Sequence, residues 1–123
     1  MTIERVLVID DSPTDQHFIS GLLKKHGLEV MTANDGQNGI SMAKQQLPDL
    51  ILMDVVMPGM NGFQATRKLS RDPDTKSIPV VIVSSKGEVT DRAWGMRQGA
   101  VDYLTKPVSE AALISKIREF SSV

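Results

Sequence analysis

Short apolar runs alternate along the chain with segments in which apolar residues recur at helical spacing. The runs around Val6, Leu50 and Val80 are continuously apolar, which is typical of strands buried on both faces of a parallel sheet. We therefore predict five strands, at residues 6–9, 28–31, 50–53, 80–83 and 101–104. Their alternation with helices predicts an α/β fold, a doubly wound five-stranded parallel sheet with right-handed crossovers and helices on both faces.

The five segments between the strands are predicted helices because their apolar residues share one face. The predicted inward residues are, helix by helix, Phe18, Ile19, Leu22 and Leu23; Ile40, Ala43 and Leu47; Thr66 and Leu69; Val89, Ala93 and Met96; and Leu113, Ile114, Ile117 and Phe120. The predicted starts are Ser12 with Pro13, Asn61 and Ser109, and the predicted stops are Gly27, Pro48, Pro73 and Gly99. Trp94 is interpreted either as partly core or as part of a partner surface.

Length and composition narrow the function classes. A chain of 123 residues suits one domain, so we expect a single domain over residues 1–123 with no effector domain. The formal net charge of -1 provides no basic field for direct nucleic-acid or membrane binding. The absence of cysteine excludes disulfides and thiolate chemistry. The apolar runs are far shorter than the roughly 20 residues of a spanning helix, so we expect no membrane insertion and a cytoplasmic location.

Polar residues follow four of the predicted strands, at the point where each strand ends. Asp10 and Asp11 follow the first strand, Asp54 the third, Ser84 the fourth and Lys106 the fifth. Each of these residues taken alone would more often be a loop residue or a helix cap. However, ligands of an open parallel sheet bind beyond the carboxyl ends of its strands, so the coincidence of all five groups indicates a site.

The charges of this set predict its chemistry. Three crowded carboxylates repel one another, and one ammonium leaves an excess of negative charge. A hard divalent cation balances that excess, and Mg²⁺ typically binds one or two carboxylates together with phosphate oxygens and water. A carboxylate beside such an ion, with an ammonium and a hydroxyl donor close by, is equipped to attack phosphorus and hold an aspartyl phosphate.

Four segments in this order resemble the receiver domain of two-component response regulators, the CheY-like fold. They are VLVIDDSP at residues 6–13, DLILMDVVMPGMNG at 49–62, PVVIVSSK at 79–86 and GAVDYLTKP at 99–107. The resemblance covers essentially the whole chain and implies a flavodoxin-like (βα)5 sheet with the strand order 2-1-3-4-5. It implies a signalling protein that catalyses only its own phosphotransfer and autodephosphorylation.

The resemblance also implies a role for each site residue. Asp54 would be the phosphoacceptor and Lys106 the partner of the phosphoryl oxygens, with a cis bond to Pro107. The metal ligands would be Asp11, Asp54, Asp10 acting largely through water, and the backbone carbonyl of Val56, for Mg²⁺ with Mn²⁺ as a substitute. Ser84 would donate a hydrogen bond to the phosphoryl group, and Tyr103 would turn inward as Ser84 moves.

The partners are implied by the same resemblance. A sensor histidine kinase, or its phosphotransfer domain, would donate the phosphoryl group, and a downstream protein would bind the face formed by the fourth helix, fifth strand and fifth helix. We expect a monomer that could dimerise on phosphorylation. The segments MPGMNGFQATR at 57–67 and WGMRQGA at 94–100 resemble PilH-type receivers of pilus chemosensory systems, which implies control of twitching motility or chemotaxis.

Three alternatives remain open at this stage. An aspartate-nucleophile phosphatase would need its nucleophile on the first strand, a second acid two residues later and a cap insertion. Here the acids are adjacent and the loops are short. The receiver half of a DNA-binding transcriptional regulator would differ only by a further domain after residue 123. A degenerate receiver that binds partners without phosphorylation is disfavoured by the complete acidic set.

Overall fold

The computed structural model describes residues 2–121, and in this part of the chain strands and helices alternate. The strands are β1 (Arg5–Ile9), β2 (Glu29–Ala33), β3 (Leu50–Met53), β4 (Val80–Ser84) and β5 (Asp102–Thr105). The helices are α1 (Pro13–Lys25), α2 (Gly36–Gln46), α3 (Gly62–Arg71), α4 (Val89–Arg97) and α5 (Glu110–Phe120). Each predicted element is present, with shifted ends for the second and fifth strands.

The strands form a parallel sheet in the order β2-β1-β3-β4-β5, which confirms the predicted fold class. β1, β3 and β4 are buried along their whole central length, as their continuous apolar runs predicted. In the register of the sheet, Ile9 pairs with Met53, and Met53 pairs with Ile82. The carboxyl ends of the three central strands therefore lie nearly level along one edge.

Helices cover both faces of the sheet. Because successive side chains of a strand point to opposite faces, β1 contributes to two separate apolar clusters. The first cluster contains Leu7, Ile9, Ile51 and Met53 of the sheet with Ala43 of α2 and Ala65 and Leu69 of α3. The second contains Val6, Val8, Leu50 and Leu52 with Ile19 and Leu23 of α1 and Leu113, Ile114 and Ile117 of α5. No helix among residues 2–121 is long and apolar enough to cross a membrane.

The predicted helix starts are confirmed by their hydrogen bonds. The Ser12 side chain accepts from the backbone N–H of Asp15, and Ser109 accepts from that of Ala112. Asn61 forms a capping box, because its side chain and that of Gln64 each accept a bond from the other residue's backbone N–H at 2.9 Å. These caps fix where α1, α3 and α5 begin.

Several predicted core positions were wrong, and the errors are concentrated in α4. Val89 is 81% exposed and Met96 is 45% exposed, and Ala93 lies on the same exposed face. The inward position of α4 is instead Gly95, where a Cβ would approach Ile82 Cδ1 to 2.8 Å and the Tyr103 ring to 3.2 Å. Since the ring of Tyr103 and the strand beneath it come this close, the helix needs no apolar side chain of its own at the contact.

Three further predictions were wrong, one within α1 and two at the ends of elements. Phe18 lies on the solvent side of α1 and is 51% exposed, while its neighbour Ile19 is buried. Leu47 lies beyond the last turn of α2 in a left-handed conformation, with φ at 47°, and is exposed. Val101 is exposed and precedes β5, because that strand begins at Asp102. A periodic pattern that continues past the end of its element accounts for Leu47 and Val101.

Candidate functional site

The acidic residues predicted to form the site lie together at the carboxyl ends of β1 and β3. Asp10 and Asp54 directly follow these neighbouring strands, and both are buried, with 2% and 7% of their surface exposed. Asp11 is exposed beside them. Carboxylate oxygens of Asp10, Asp11 and Asp54 all lie within 4.8 Å of one another. The structure therefore brings together three acids that are separated by up to 44 positions in the chain.

The backbone fixes these carboxylates in place. The Asp10 N–H donates to Ala33 O of β2 at 3.1 Å, and the Asp54 N–H donates to Ile9 O at 2.9 Å. The turn after Asp54 returns so tightly that a Cβ at Gly62 would lie 1.9 Å from the Asp54 carbonyl oxygen. Only glycine fits at that position, so the start of α3 and the candidate phosphoacceptor share one rigid turn.

Lys106 extends from the end of β5 into the acidic group. Its Nζ donates to Asp10 Oδ2 at 2.9 Å and to Asp15 Oδ2 at 2.8 Å, and lies 3.5 Å from Asp54 Oδ1. Its peptide bond to Pro107 is cis, as predicted. Burial lowers the pKa of the ammonium, but the hydrogen bonds to Asp15 and Asp10 outweigh burial and raise the pKa above its ordinary value. Lys106 is therefore charged at any physiological pH.

The pKa of Asp54 is raised from 3.8 to about 6. Burial of the carboxylate is the largest cause, and the negative charge of Asp10 adds to it, while Lys106 and the Val55 backbone N–H act in the opposite direction. A carboxylate that is penalised in this way is stabilised by any cation placed beside it. The electrostatics of the pocket thus favour binding of a positive ion at Asp54.

The two predicted switch residues lie just inside this edge of the sheet. Ser84, at the end of β4, is fully buried, and its hydroxyl accepts from the Lys86 backbone N–H at 3.2 Å. Tyr103 of β5 is already turned inward, and its hydroxyl donates to the Lys86 carbonyl oxygen. Burial raises the pKa of Tyr103, so the hydroxyl remains a donor. Both side chains therefore contact the same loop between β4 and α4.

A cavity of about 500 Å³ opens above the carboxylates. Its lining includes Asp11, Asp54 and Lys106, with Val56 and Phe18 as exposed apolar residues at its mouth. A larger concavity of about 820 Å³ lies between α2 and α3, and its lining includes Ile40, Met60, Arg67 and Arg71. The chemistry-bearing groups line the smaller cavity, so we assign the site there.

Sequence reasoning missed Asp15, the residue nearest to Lys106. Asp15 lies in the first turn of α1, where its backbone N–H is bonded to the Ser12 cap. Because α1 begins directly after the acids of β1, a carboxylate in its first turn also faces the site edge. That position in the chain was the available signal. With four carboxylates and one ammonium, the site is more negative than the sequence suggested.

The residues present fit a hard divalent cation. All the converging ligand atoms are oxygens, their spacing is compatible with a shared ion, and the surrounding charge is strongly negative. The pocket is open to solvent, which leaves room for waters and for an incoming anionic group. The arrangement can thus neutralise and hold a phosphoryl group on a buried carboxylate.

A five-stranded parallel sheet in this order, with an acid pair after β1, an acid after β3 and a lysine after β5, defines one class of protein. The sequence pattern of the response regulator receiver domain matches residues 6–118, and the chain belongs to this family. It is therefore a phosphorylation-dependent signalling domain of two-component systems.

Individual relatives agree with this assignment. The chain is 53% identical to the protein PilH of Pseudomonas aeruginosa over 113 residues, which cover 92% of this chain and 93% of PilH. Among solved structures, the chemotaxis protein CheY4 of Vibrio cholerae superimposes with a TM-score of 0.90 at 28% identity, covering 97% of this chain and 99% of that one. The receiver domain of a Pseudomonas aeruginosa sensor histidine kinase, which has a magnesium ion coordinated in its active site cleft, superimposes with a TM-score of 0.89 at 28% identity, covering 97% and 98%.

Proposed function

We propose that this protein accepts a phosphoryl group on Asp54 from a sensor histidine kinase or its phosphotransfer domain. The observation that carries the proposal is the convergence of three carboxylates within 4.8 Å, with Lys106 Nζ 3.5 Å from Asp54 Oδ1. Phosphoryl transfer needs positioned groups that neutralise the transferred oxygens, and this pocket supplies them.

The transfer step is a displacement at phosphorus. A carboxylate oxygen of Asp54 forms the new O–P bond while the N–P bond of the donor phosphohistidine breaks, and the imidazole leaves and takes up a proton from solvent. Lys106 pairs with the phosphoryl oxygens, and Ser84 donates a hydrogen bond to them once its hydroxyl leaves the Lys86 backbone. The protein catalyses this transfer and the later hydrolysis of its own acyl phosphate, and it acts on no other substrate.

Four groups would hold Mg²⁺ in this site. Asp11 and Asp54 would be direct ligands, Asp10 would act largely through water, and the backbone carbonyl of Val56 would complete the protein ligands. Mn²⁺, which also prefers oxygen ligands, would substitute. When it is bound, the ion would neutralise the phosphoryl oxygens. It would also stabilise the charged form of Asp54, which burial disfavours, as the raised pKa of this residue indicates.

The output surface that we propose is the face formed by α4, β5 and α5. Its support is the exposed apolar row of α4, where Val89, Ala93 and Met96 follow one another at helical spacing. Tyr103 connects this face to the site, because its hydroxyl and Ser84 bond to the same residue, Lys86. Movement of Ser84 toward a phosphoryl group would therefore release the loop that precedes α4, and a downstream protein would bind the changed surface.

The pathway is inferred from the similarity to PilH. We infer that the protein acts in a pilus-linked chemosensory system that controls twitching motility or chemotaxis. It would work in the cytoplasm as a monomer that could dimerise on phosphorylation. Its partners would be proteins rather than nucleic acid.

Phosphorylation by a small donor tests the central step. Incubation with acetyl phosphate and Mg²⁺ should add about 80 Da to the intact protein, because the acyl phosphate replaces a carboxylate proton. Asp54→Asn should remove the adduct, and chelation of the metal should prevent it. Asp74→Asn, which changes an exposed acid at the opposite edge of the sheet, should keep the adduct. An adduct that maps to another residue, or none in the presence of Mg²⁺, would falsify the assignment.

A further inference from the structure

The shortest contact of Lys106 is to a residue outside the expected acid set. Asp15 Oδ2 lies 2.8 Å from Lys106 Nζ, closer than Asp10 at 2.9 Å and much closer than Asp54 at 3.5 Å. The Lys106 side chain is only 16% exposed, so these contacts are made in a largely desolvated position. The ammonium therefore lies nearer to the α1 side of the pocket than to the candidate phosphoacceptor.

An ammonium has three N–H donors, and in this structure two of them are taken by Asp10 and Asp15. Asp54 Oδ1 lies 3.5 Å from Nζ, which is an ion-pair distance but too long for a good hydrogen bond. Asp10 would be drawn toward a bound cation, which frees one donor. Asp15 lies on a helix rather than on a strand end, is 45% exposed, and can keep its bond to Lys106.

Asp15 also changes the charge of the pocket. Asp10, Asp15 and Asp54 lie within 3.5 Å of a single ammonium, and Asp11 lies beside Asp10 and Asp54. A fourth carboxylate makes the pocket attract a cation more strongly, and repel an incoming anion more strongly, than the three expected acids alone. The bond to Asp15 occupies an N–H donor of Lys106 that could otherwise go to an anion at Asp54. One side chain thus affects two binding events in opposite directions.

We propose that Asp15 is a positioning residue that holds Lys106 on the α1 side of the pocket and competes with the phosphoryl group for it. This inference rests on the proposed phosphorylation of Asp54. Removing the Asp15 charge weakens Mg²⁺ binding and strengthens binding of a phosphoryl-like anion at Asp54. Asp15 therefore sets how strongly the pocket holds Mg²⁺ relative to the phosphoryl group.

The test compares Asp15→Asn with the wild-type protein in two titrations. Calorimetry with Mg²⁺ alone should show affinity lower by about threefold to tenfold, since one nearby negative charge is lost and Lys106 moves closer to Asp54. At saturating Mg²⁺, titration with beryllofluoride followed by ¹⁹F NMR should show affinity higher by about threefold to tenfold. If Asp15 had a purely structural role, Asp15→Asn would lower the affinity for both Mg²⁺ and beryllofluoride. A decrease in the first affinity together with an increase in the second is therefore diagnostic of the positioning role.

Two controls show that the effect acts through Lys106. Asp74→Asn removes the same charge at the other edge of the sheet and should change neither affinity by as much as twofold. In a Lys106→Ala background, Asp15→Asn should no longer strengthen beryllofluoride binding by the same factor, because there is no ammonium to release. In the metal-free protein, the ¹⁵N-labelled ammonium signal of Lys106 should be visible in the wild type and lost by rapid exchange in Asp15→Asn.

The outcomes separate this inference from the proposed function. If wild-type protein takes up beryllofluoride with Mg²⁺ while Asp15→Asn leaves both affinities unchanged, or lowers both, the positioning role is wrong and the proposed function stands. If wild-type protein binds neither beryllofluoride nor phosphoryl from acetyl phosphate, the proposed function itself fails.

Discussion

Helices α4 and α5 carry similar apolar patterns and use them in opposite ways. In α5, Leu113, Ile114 and Ile117 are buried against β1 and β3. In α4, Val89, Ala93 and Met96 repeat at the same spacing as Leu113, Ile117 and Phe120 of α5, but they are exposed to solvent. The two helices lie on either side of the β5 strand in the chain, yet only one of them is anchored by the residues that its pattern indicates.

The difference lies in what each helix packs against. α4 is held by Gly95 against the Tyr103 ring, and by Arg92, whose Nη1 donates to the Tyr103 carbonyl oxygen at 3.1 Å and whose guanidinium lies over the ring. α5 is held by branched apolar side chains in a closed cluster. An element with few buried apolar contacts opens at low free energy, so α4 is the helix suited to change during signalling.

The largest expected loss of stability follows from a substitution in α5. Leu113→Ala should lower the free energy of unfolding by about 2–5 kcal/mol, because it leaves a cavity at a fully buried position. Val89→Ala on α4 should change it by no more than about 0.5 kcal/mol, since that side chain is mostly in water. Urea denaturation followed by circular dichroism measures both, and equal losses would contradict the comparison.

The acidic pocket around Asp54 should lower the free energy of unfolding at neutral pH. The pKa of Asp54 is raised to about 6 in the folded chain, so the folded state binds more protons than the unfolded state between pH 3.8 and about 6. Stability from this group is fully present below pH 3.8 and is lost as the pH rises through 6.

Asp54→Asn should therefore stabilise the metal-free protein by about 1–3 kcal/mol at pH 7.5, and by much less at pH 4. Denaturation of both proteins in the presence of a chelator at the two pH values measures this difference. A stabilisation independent of pH would show that the charge of Asp54 is not its source.

A change in stability of similar size is expected where α4 meets Tyr103. Gly95→Ala should destabilise by about 1–3 kcal/mol, because the added Cβ would meet Ile82 and the Tyr103 ring. Gly21→Ala on α1 has open space around the new methyl group and should instead stabilise by about 0.5–1 kcal/mol. Thermal denaturation of the two variants shows whether each change in stability has the expected sign. If Gly95→Ala stabilised the protein, α4 would not pack against Ile82 and Tyr103 through Gly95.

The smallest effect on stability should accompany the largest effect on partner binding. Met96→Glu should leave the free energy of unfolding within about 0.5 kcal/mol of the wild type and leave the acetyl phosphate adduct of about 80 Da intact, since the side chain lies outside the core. It should reduce capture of the downstream partner by the phosphorylated protein, measured by pull-down. The matched variant Leu47→Glu, at an exposed position after α2, should bind the partner normally.

The sheet was predictable because its central strands are buried on both faces and therefore carry continuous apolar runs. The orientation of α4 was not predictable from the sequence. Its apolar pattern of Val89, Ala93 and Met96 cannot distinguish a helix side that faces the core from one that faces a partner. Gly95, the residue that faces inward, carries no hydrophobic signal at all. Periodicity reports that a surface is apolar, and only the packing shows what covers it.

The candidate site likewise contains residues that the sequence predicts and residues whose contacts depend on packing. Asp10, Asp54 and Lys106 were predictable since each directly follows a strand of the sheet, and their convergence depends on topology alone. The position of Asp15 in the first turn of α1 placed it near the site, but its contact with Lys106 was not predictable, because that contact depends on how α1 leaves the sheet and on the reach of the lysine side chain. The depth at which Ser84 is buried, and its bond to the Lys86 backbone, are likewise products of packing.

The coupling between Asp54 and α4 is tested most directly by backbone amide NMR of ¹⁵N-labelled protein, with and without acetyl phosphate and Mg²⁺. Apart from residues that line the pocket, we predict the largest shifts from Ser84 through α4 into β5, small shifts in β2 and α2, and none of these in Asp54→Asn. Shifts confined to the acidic pocket, or a response that persists in Asp54→Asn, would contradict this coupling.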